Sequence, residues 1–403
     1  MISGTIELLT TLDFGKFSDS MSNIADEPAP PSTSPEVSRT ERLMSIDALR
    51  GFDMFWIAGG DEIAKALGKL WGTPSSQKFV DQFEHVGWEG FRFYDLIFPL
   101  FLFTVGVVLP FSLRKYTSGG QAKAPALWRL SRRVLVLFFL GLVYSNFLQF
   151  HFDTQRYPGV LQRIAVCYGI AALIYLFTGV RTQVVLLVAI LLGYWAILAF
   201  VPSPESHKAG DYSIEHNLSG YIDRHVLPGK IYKSYYGYGD NEGILSTVPA
   251  IATALLGVLA GQWLLTDRSG ARKGFGLALA GAASVGIGTL WGQVFPVIKI
   301  LWTSSYVLIA GGYSLILLSM FYMIIDVLKF RKWAFFFVVI GVNAITIYMA
   351  NKIINFDRLA EFFFGGLARY AGSAGSLVLS VGSVALGWLF LLHLYRHKIF
   401  LRV

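Results

Sequence analysis

A single cysteine, Cys167, stands in a chain of 403 residues. A lone thiol excludes an intrachain disulfide and a paired-cysteine metal site, and its place within an apolar run marks it as a packing residue. Charge is the second scarcity: 15% of residues are charged against 54% hydrophobic and 15% aromatic, far from the balance of a soluble domain. Signatures of common chemistries are missing too. There is no HExxH, Walker loop, GxSxG or zinc-ligand cluster, which turns the reading away from metal-dependent hydrolysis and ATP-driven reactions. No metal is expected.

What the chain has is apolar runs of about 20 residues, each long enough to cross a hydrocarbon core of roughly 30 Å. They are too long for barrel strands and lack strict alternation, so closed helices satisfy the backbone in lipid. The expected fold is an all-α polytopic transmembrane bundle. About ten spans are placed at approximately 48–66, 94–113, 133–150, 159–179, 183–202, 244–265, 274–292, 303–328, 334–354 and 373–394. Residues 1–41, with the run "PAPPSTSP", have a composition that cannot offset ordering entropy and read as a disordered tail. The start, "MISGTIELLTTLDF", lacks the basic and apolar regions of a secretory signal. Residues 42–403 are then one membrane domain with long outer loops at 67–93 and 203–243.

The net charge of +8 comes from basic residues at the ends of apolar runs, a topology signal and not a nucleic-acid patch. Loops after even-numbered spans carry Arg114, Lys115, Lys123, Arg129, Arg132 and Arg133, then Arg181, Arg268, Arg272, Lys273, Lys329, Arg331 and Lys332. The tail adds Arg396, Lys398 and Arg402. These loops and both termini are therefore expected in the cytoplasm, which puts His85 and the 203–243 loop outside. The latter loop is rich in aromatic, amide, acidic and histidine residues, a composition that suits a polar, sugar-like ligand as well as an ordinary solvated loop.

Several polar positions sit poorly with packing. Asp47 and Arg50 are spaced to pair on one helical face, and Arg50 is either a snorkelling anchor or a phosphate contact. Asp53 and Asp61 place carboxylates inside an apolar span, where they need a cavity or a partner. Asp95 opens the second span, which Pro99, Gly106 and Pro110 loosen. In "RYPGVLQRIAVCYG", Pro158 begins a helix and Gln162 with Arg163 falls one turn inside; that arginine requires either an intramembrane carboxylate or a ligand. Asn343 and Asn351 stand among apolar residues, where asparagine commonly bonds a neighbouring helix. His85 itself, in "FEHVGWEGFRFYDLIFPLFLFTVG", can exchange a proton near neutral pH or act as a nucleophile, with Glu84, Glu89 or Asp95 to orient it.

Six blocks in order, "SIDALRG", "HVGWEGFRFYDLIFPLFLFTVG", "YPGVLQRIAVCYG", "EGILSTVPAIATALLGVLAGQWL", "LWTSSYVL" and "GVNAITIYM", resemble the heparan-alpha-glucosaminide N-acetyltransferase family over roughly residues 43–395. With the short tail standing before the first span in place of the lysosomal members' large lumenal domain, the resemblance leads to the expectation of a bacterial inner-membrane member. The resemblance implies transfer of an acetyl group from cytosolic acetyl-CoA to the amine of a terminal glucosamine or related glycan outside. The family's catalytic histidine falls on His85. Asp61 stands where lysosomal members carry asparagine, so it is able to orient the amine or His85 but not to donate an amide hydrogen bond to an oxyanion. Asp61 and Asp95 join His85 as candidate catalytic residues. Arg50, Arg129, Arg132 and Arg133 are candidate phosphate contacts for acetyl-CoA, and Gln162, Arg163 and Asn343 further donor contacts. Glu84, Trp88 and Glu89 are expected to meet the acceptor. Direct transfer with His85 as general base is favoured over an acetyl-histidine route. Acetylation of a sugar hydroxyl is the near alternative; a proton-coupled transporter using Asp53, Asp61, Arg163 and His85 is the distant one. A second copy of the chain is a candidate partner beside the lipid bilayer.

Overall fold

A computed structural model describes residues 43–117, 121–231 and 237–401. The expected tail over residues 1–41, and Arg402, lie outside the described residues. Among the described residues there is no β-strand, and extended pairing is limited to two isolated bridges, Glu89 with Ile298 and Arg156 with Gly229.

The first expected span is two helices. α1 (Met44–Phe55) runs into a wide turn at Trp56–Gly60, and α2 (Asp61–Trp71) departs from it. Gly59 breaks the path with φ 116°, a conformation that a residue with a Cβ rarely adopts. Asp61 therefore lies in the first turn of a new helix, where the helix dipole favours a carboxylate, and not in mid-span as the sequence suggested. A short α3 (Pro74–Asp81) follows, its first turn closed by the Thr73 hydroxyl accepting from Ser76 N at 3.1 Å. One tight turn, Phe93–Leu96, then leads into α4 (Ile97–Thr117).

The third expected span, placed at 133–150, is displaced. α5 covers Ala124–Tyr144, so Arg129, Arg132 and Arg133 belong to the helix and not to the loop before it. α6 (Val160–Phe177) and α7 (Val180–Phe200) come next, and the long loop that follows contains a short α8 (Leu218–Val226). α9 (Ile244–Leu264), α10 (Gly270–Trp291) and α11 (Ser304–Tyr322) come next and are largely apolar, with Arg272 and Lys273 in the first turn of α10. α12 (Ala334–Val342) and α13 (Ala344–Ile353) meet at Asn343 with a bend of 72°. An amphipathic α14 (Phe356–Tyr370) precedes the last helix, α15 (Gly375–Arg396).

Seven described helices are long and apolar enough to cross a membrane, or eight if the bent pair counts as one span. Two of the ten expected segments fail that test for visible reasons: the first is broken at Gly59, and the third carries three arginines. α4 is buried along most of its length, while α7, α10 and α15 leave most of their surface facing outward. α4 packs along α9, α10 along α11, and α1 along α12. The α4–α9 contact is backbone-close: a methyl group at Gly106 would collide with the Ala254 carbonyl, and one at Gly257 with the Phe103 carbonyl. Small residues of this kind let helices pack tightly in lipid, where no hydrophobic force draws them together.

Candidate active site

His85 stands in the loop between α3 and α4, and the turn at Phe93–Leu96 brings Asp95 back to it. Asp95 Oδ1 lies 2.8 Å from His85 Nδ1. The other carboxylate oxygen accepts from Arg92 N at 3.1 Å and Val86 N at 3.4 Å, and the Tyr306 hydroxyl bonds the Asp95 carbonyl at 2.8 Å. Asp95 is fully buried, so these bonds fix its carboxylate and through it the imidazole. With Nδ1–H directed at Asp95, Nε2 is the nitrogen left for chemistry. The Tyr94 ring lies against the imidazole at 4.8 Å between centroids.

A third charged group arrives from the loop between α10 and α11. Lys299 Nζ lies 2.9 Å from His85 Nδ1, 3.5 Å from Nε2 and 3.3 Å from Asp95 Oδ1. Backbone contacts hold that loop against the His85 loop: Gly90 N donates to Val297 O at 2.8 Å, and Glu89 bridges Ile298. Burial pushes the Lys299 ammonium below the ordinary lysine range, against the pull of Asp95 and Glu242.

His85, Tyr94 and Lys299 line a cavity of about 450 Å³. Trp88, Asn241 and Glu242 add polar groups to its wall, and Met54, Phe98, Phe101, Leu161, Ile164 and Trp302 add apolar ones. The Trp88 indole is anchored by donating to Tyr212 O at 2.9 Å. Arg156 holds Glu242 and grips Asp240 with two bonds, Nε to Oδ2 at 2.9 Å and Nη2 to Oδ1 at 2.6 Å. Burial works against the Arg156 charge, but its two carboxylates more than offset that and raise its pKa. Asp223 on α8 completes the frame by accepting from Ile244 N at 2.9 Å and Asp240 N at 3.3 Å. Burial nevertheless pushes the Asp223 carboxyl from its ordinary 3.8 up to about 6.

At the opposite end of α4, Ser112, Leu113 and Tyr116 face a second cavity of about 570 Å³ together with Arg129, Arg132, Arg133 and Tyr168. Arg133 lies 4.6 Å over the Tyr168 ring and donates to its hydroxyl at 3.4 Å. A crevice shared by Arg50, Arg133, Val105 and Tyr168 extends from there toward the first cavity. Three helices line both the crevice and the His85 cavity with residues four apart: Arg50 and Met54 on α1, Val105 and Phe101 on α4, Tyr168 and Ile164 on α6. Four residues rise about 6 Å along a helix. One helical turn of side chains separates this crevice from the His85 cavity, whereas along α4 the basic cavity at Ser112 lies about 16 Å from Phe101.

The structure gathers some of the sequence candidates and scatters others. Of the three carboxylates considered for orienting His85, Asp95 makes the contact. Glu84 and Glu89 are exposed and do not line the cavity; Glu89 serves the site through its backbone bridge. Asp61 pairs with Lys65 at 2.9 Å and bonds the Tyr94 side chain, so it reaches the imidazole through Tyr94 and not directly. Arg163 is buried, but its partners are Ser246 Oγ at 2.5 Å, Gly243 O at 3.4 Å and the Trp302 ring at 4.9 Å, not an intramembrane carboxylate. Gln162 bonds Tyr157 O at 3.1 Å and packs against Gly141 and Gly159. Asn343 sits at the α12–α13 bend and donates to Ile399 O at 3.3 Å, so its neighbours Ala344 and Ile345 line the cavity while its own side chain does not. Lys299, Asn241 and Glu242 escaped sequence reasoning. The one visible signal was a lysine isolated between apolar residues in "FPVIKILW".

A buried carboxylate on histidine, with a lysine beside both, is an arrangement that can take up and return a proton. The chain is distantly similar to heparan-alpha-glucosaminide N-acetyltransferase. It is 27% identical to the human protein of that name over 419 aligned positions, covering 90% of this chain, and 25% identical to the mouse protein, covering 92%. The chain spans about 60% of the length of these relatives. No protein-family model matches it.

Proposed function

We propose that this protein is a membrane acetyltransferase that carries an acetyl group from acetyl-CoA to the amine of a terminal glucosamine or a related sugar. The observation that carries this reading is the crevice of Arg50 and Arg133, which shares Ser112, Arg133 and Tyr168 with the basic cavity and ends one helical turn from the cavity of His85. The distant likeness to the human and mouse N-acetyltransferases supports the same chemistry. The nucleotide of the donor is too charged to enter lipid, whereas its thioester arm is neutral and fits an apolar passage. Arg129, Arg132, Arg133 and Arg50 would hold its phosphates by charge-assisted hydrogen bonds. In this reading the basic end faces the cytoplasm, as the positive-inside rule favours, and His85 faces the far side.

In the transfer, the acceptor amine nitrogen forms a bond to the thioester carbonyl carbon, and the carbonyl π pair moves onto oxygen. His85 Nε2 takes a proton from that nitrogen, with Asp95 holding Nδ1–H and stabilising the imidazolium. Collapse breaks the C–S bond, and the imidazolium returns its proton to the departing thiolate, leaving an amide and CoA. Trp88, Asn241 and Glu242 in the cavity wall provide an aromatic face and hydrogen-bonding groups for a sugar.

Purified protein in detergent, supplied with radiolabelled acetyl-CoA and a panel of free and glycosidic amino sugars and their hydroxyl counterparts, tests the reading. Labelled N-acetyl product is expected, and the His85→Ala protein should lose at least about 100-fold in rate while still binding acetyl-CoA. Full activity without His85, or no product with any acceptor, overturns the proposal.

A further inference from the structure

Lys299 is the most unusual side chain near the site. Its loop is fixed on both sides: Phe295, Ile298, Leu301 and Trp302 are buried, and Ile298 N donates to Thr303 Oγ1 at 3.1 Å. The ammonium is thereby delivered to a point 2.9 Å from His85 Nδ1 and 3.3 Å from Asp95 Oδ1. One ring nitrogen cannot donate to a carboxylate and accept from an ammonium at once. A buried carboxylate is the stronger partner for Nδ1–H, so Lys299 shares Asp95 Oδ1 and stands beside the imidazole without being its hydrogen-bond partner. An ammonium has three N–H groups, and Asp95 uses one. Two remain for a group bound in the cavity that Lys299 lines, with Nζ 3.5 Å from Nε2.

We propose that Lys299 is a catalytic residue whose ammonium binds the oxyanion formed when the acceptor attacks the thioester. The inference rests on the acetyltransferase reading above. His85 Nε2 has to lie within hydrogen-bonding reach of the attacking nitrogen, and that nitrogen bonds to the carbonyl carbon. The carbonyl oxygen is one bond further, within reach of a cation 3.5 Å from Nε2. In the step written above, the π pair that moves onto oxygen meets the ammonium N–H, and it returns to re-form the carbonyl as the C–S bond breaks. Lys299 keeps its protons throughout. The His85, Asp95 and Lys299 groupings then divide the work: Asp95 orients, His85 moves the proton, and Lys299 stabilises the charge.

The test compares wild type with Lys299→Met and Lys299→Arg. The expected result for Lys299→Met is a kcat lower by about 100- to 1,000-fold, the usual effect of removing one oxyanion donor, with KM for acetyl-CoA within about 3-fold. Lys299→Arg should recover part of kcat. A second readout separates this role from simple neutralisation of Asp95: binding of an N-methylphosphonyl amino sugar, whose anionic tetrahedral phosphorus mimics the intermediate. That affinity should fall about as far as kcat in Lys299→Met, whereas acetyl-CoA affinity should hold. If Lys299→Met cannot be purified, Lys299→Gln carries both measurements. An active wild type with undiminished kcat in the lysine variants overturns the Lys299 role alone, as does unchanged affinity for the phosphonyl analogue. A wild type that transfers no acetyl group overturns the acetyltransferase reading and this role with it.

Discussion

Replacing Arg133 by alanine tests whether the basic cavity holds the donor's phosphates, and burial sets the size of the effect. Arg133 is half-buried on α5, braced over the Tyr168 ring at 4.6 Å, and lines both the large basic cavity and the crevice that leads inward. Arg129 and Arg132 are exposed on the same helix, where water and salt screen their charge. A charge-assisted hydrogen bond from a partly buried guanidinium contributes about 1.5–3 kcal/mol, which corresponds to about 10- to 150-fold in Kd. An exposed arginine contributes about 0.2–1 kcal/mol, less than roughly 6-fold. The assay measures Kd and KM for acetyl-CoA against KM for S-acetylpantetheine, a donor with the same thioester arm and no phosphates. Arg133→Ala should weaken acetyl-CoA by the larger factor and leave the short donor within about 3-fold; Arg129→Ala and Arg132→Ala should show the smaller one. Equal losses for both donors would refute the phosphate role, and a larger effect at the exposed arginines would refute the argument from burial.

Two further outcomes follow from the site. Asp95→Asn keeps the shape of the side chain but removes the charge that stabilises an imidazolium and fixes Nδ1–H, so kcat should fall by about 100-fold or more with little change in acetyl-CoA affinity; an unaltered kcat would mean that something else orients His85. Asp223, outside the spans, has a folded pKa of about 6 against an ordinary 3.8 because of burial. Its linkage contribution is therefore fully present below about pH 4 and is lost as pH rises through about 6, on the order of 3 kcal/mol in all. Thermal midpoints of Asp223→Asn should vary less between those pH values than those of wild type, and an unchanged slope would exclude Asp223 as the source.

The helical class was legible in the sequence because a backbone in lipid must satisfy its hydrogen bonds within one segment, and long apolar runs betray that solution directly. The breaks were harder to read. Gly59 sits beside Gly60 in an apolar stretch that reads as continuous, and only its backbone conformation shows that the helix ends there. Likewise, nothing in the spelling around Asn343 announces a bend of 72°. The start of α5 was misplaced for another reason: hydropathy rises only after Arg133, whereas the helix begins at Ala124, because exposed arginines are as acceptable to a helix as leucine.

By itself the sequence determined that the chain is a helical membrane protein and which end of each span is basic, and these properties follow from local composition. His85 stood out through the resemblance of its block to a known family, and not through composition or spacing. The tertiary structure alone decided which groups meet His85. It selected Asp95 over Glu84 and Glu89, turned Arg163 toward Ser246 and Trp302, and brought Lys299 from 214 positions away to within 2.9 Å of the imidazole. It also set the crevice of Arg50 and Arg133 one helical turn from the histidine cavity, through residues on three helices far apart in the chain. No periodicity records such distances, because they arise from how helices pack on one another and not from how any one of them is spelled.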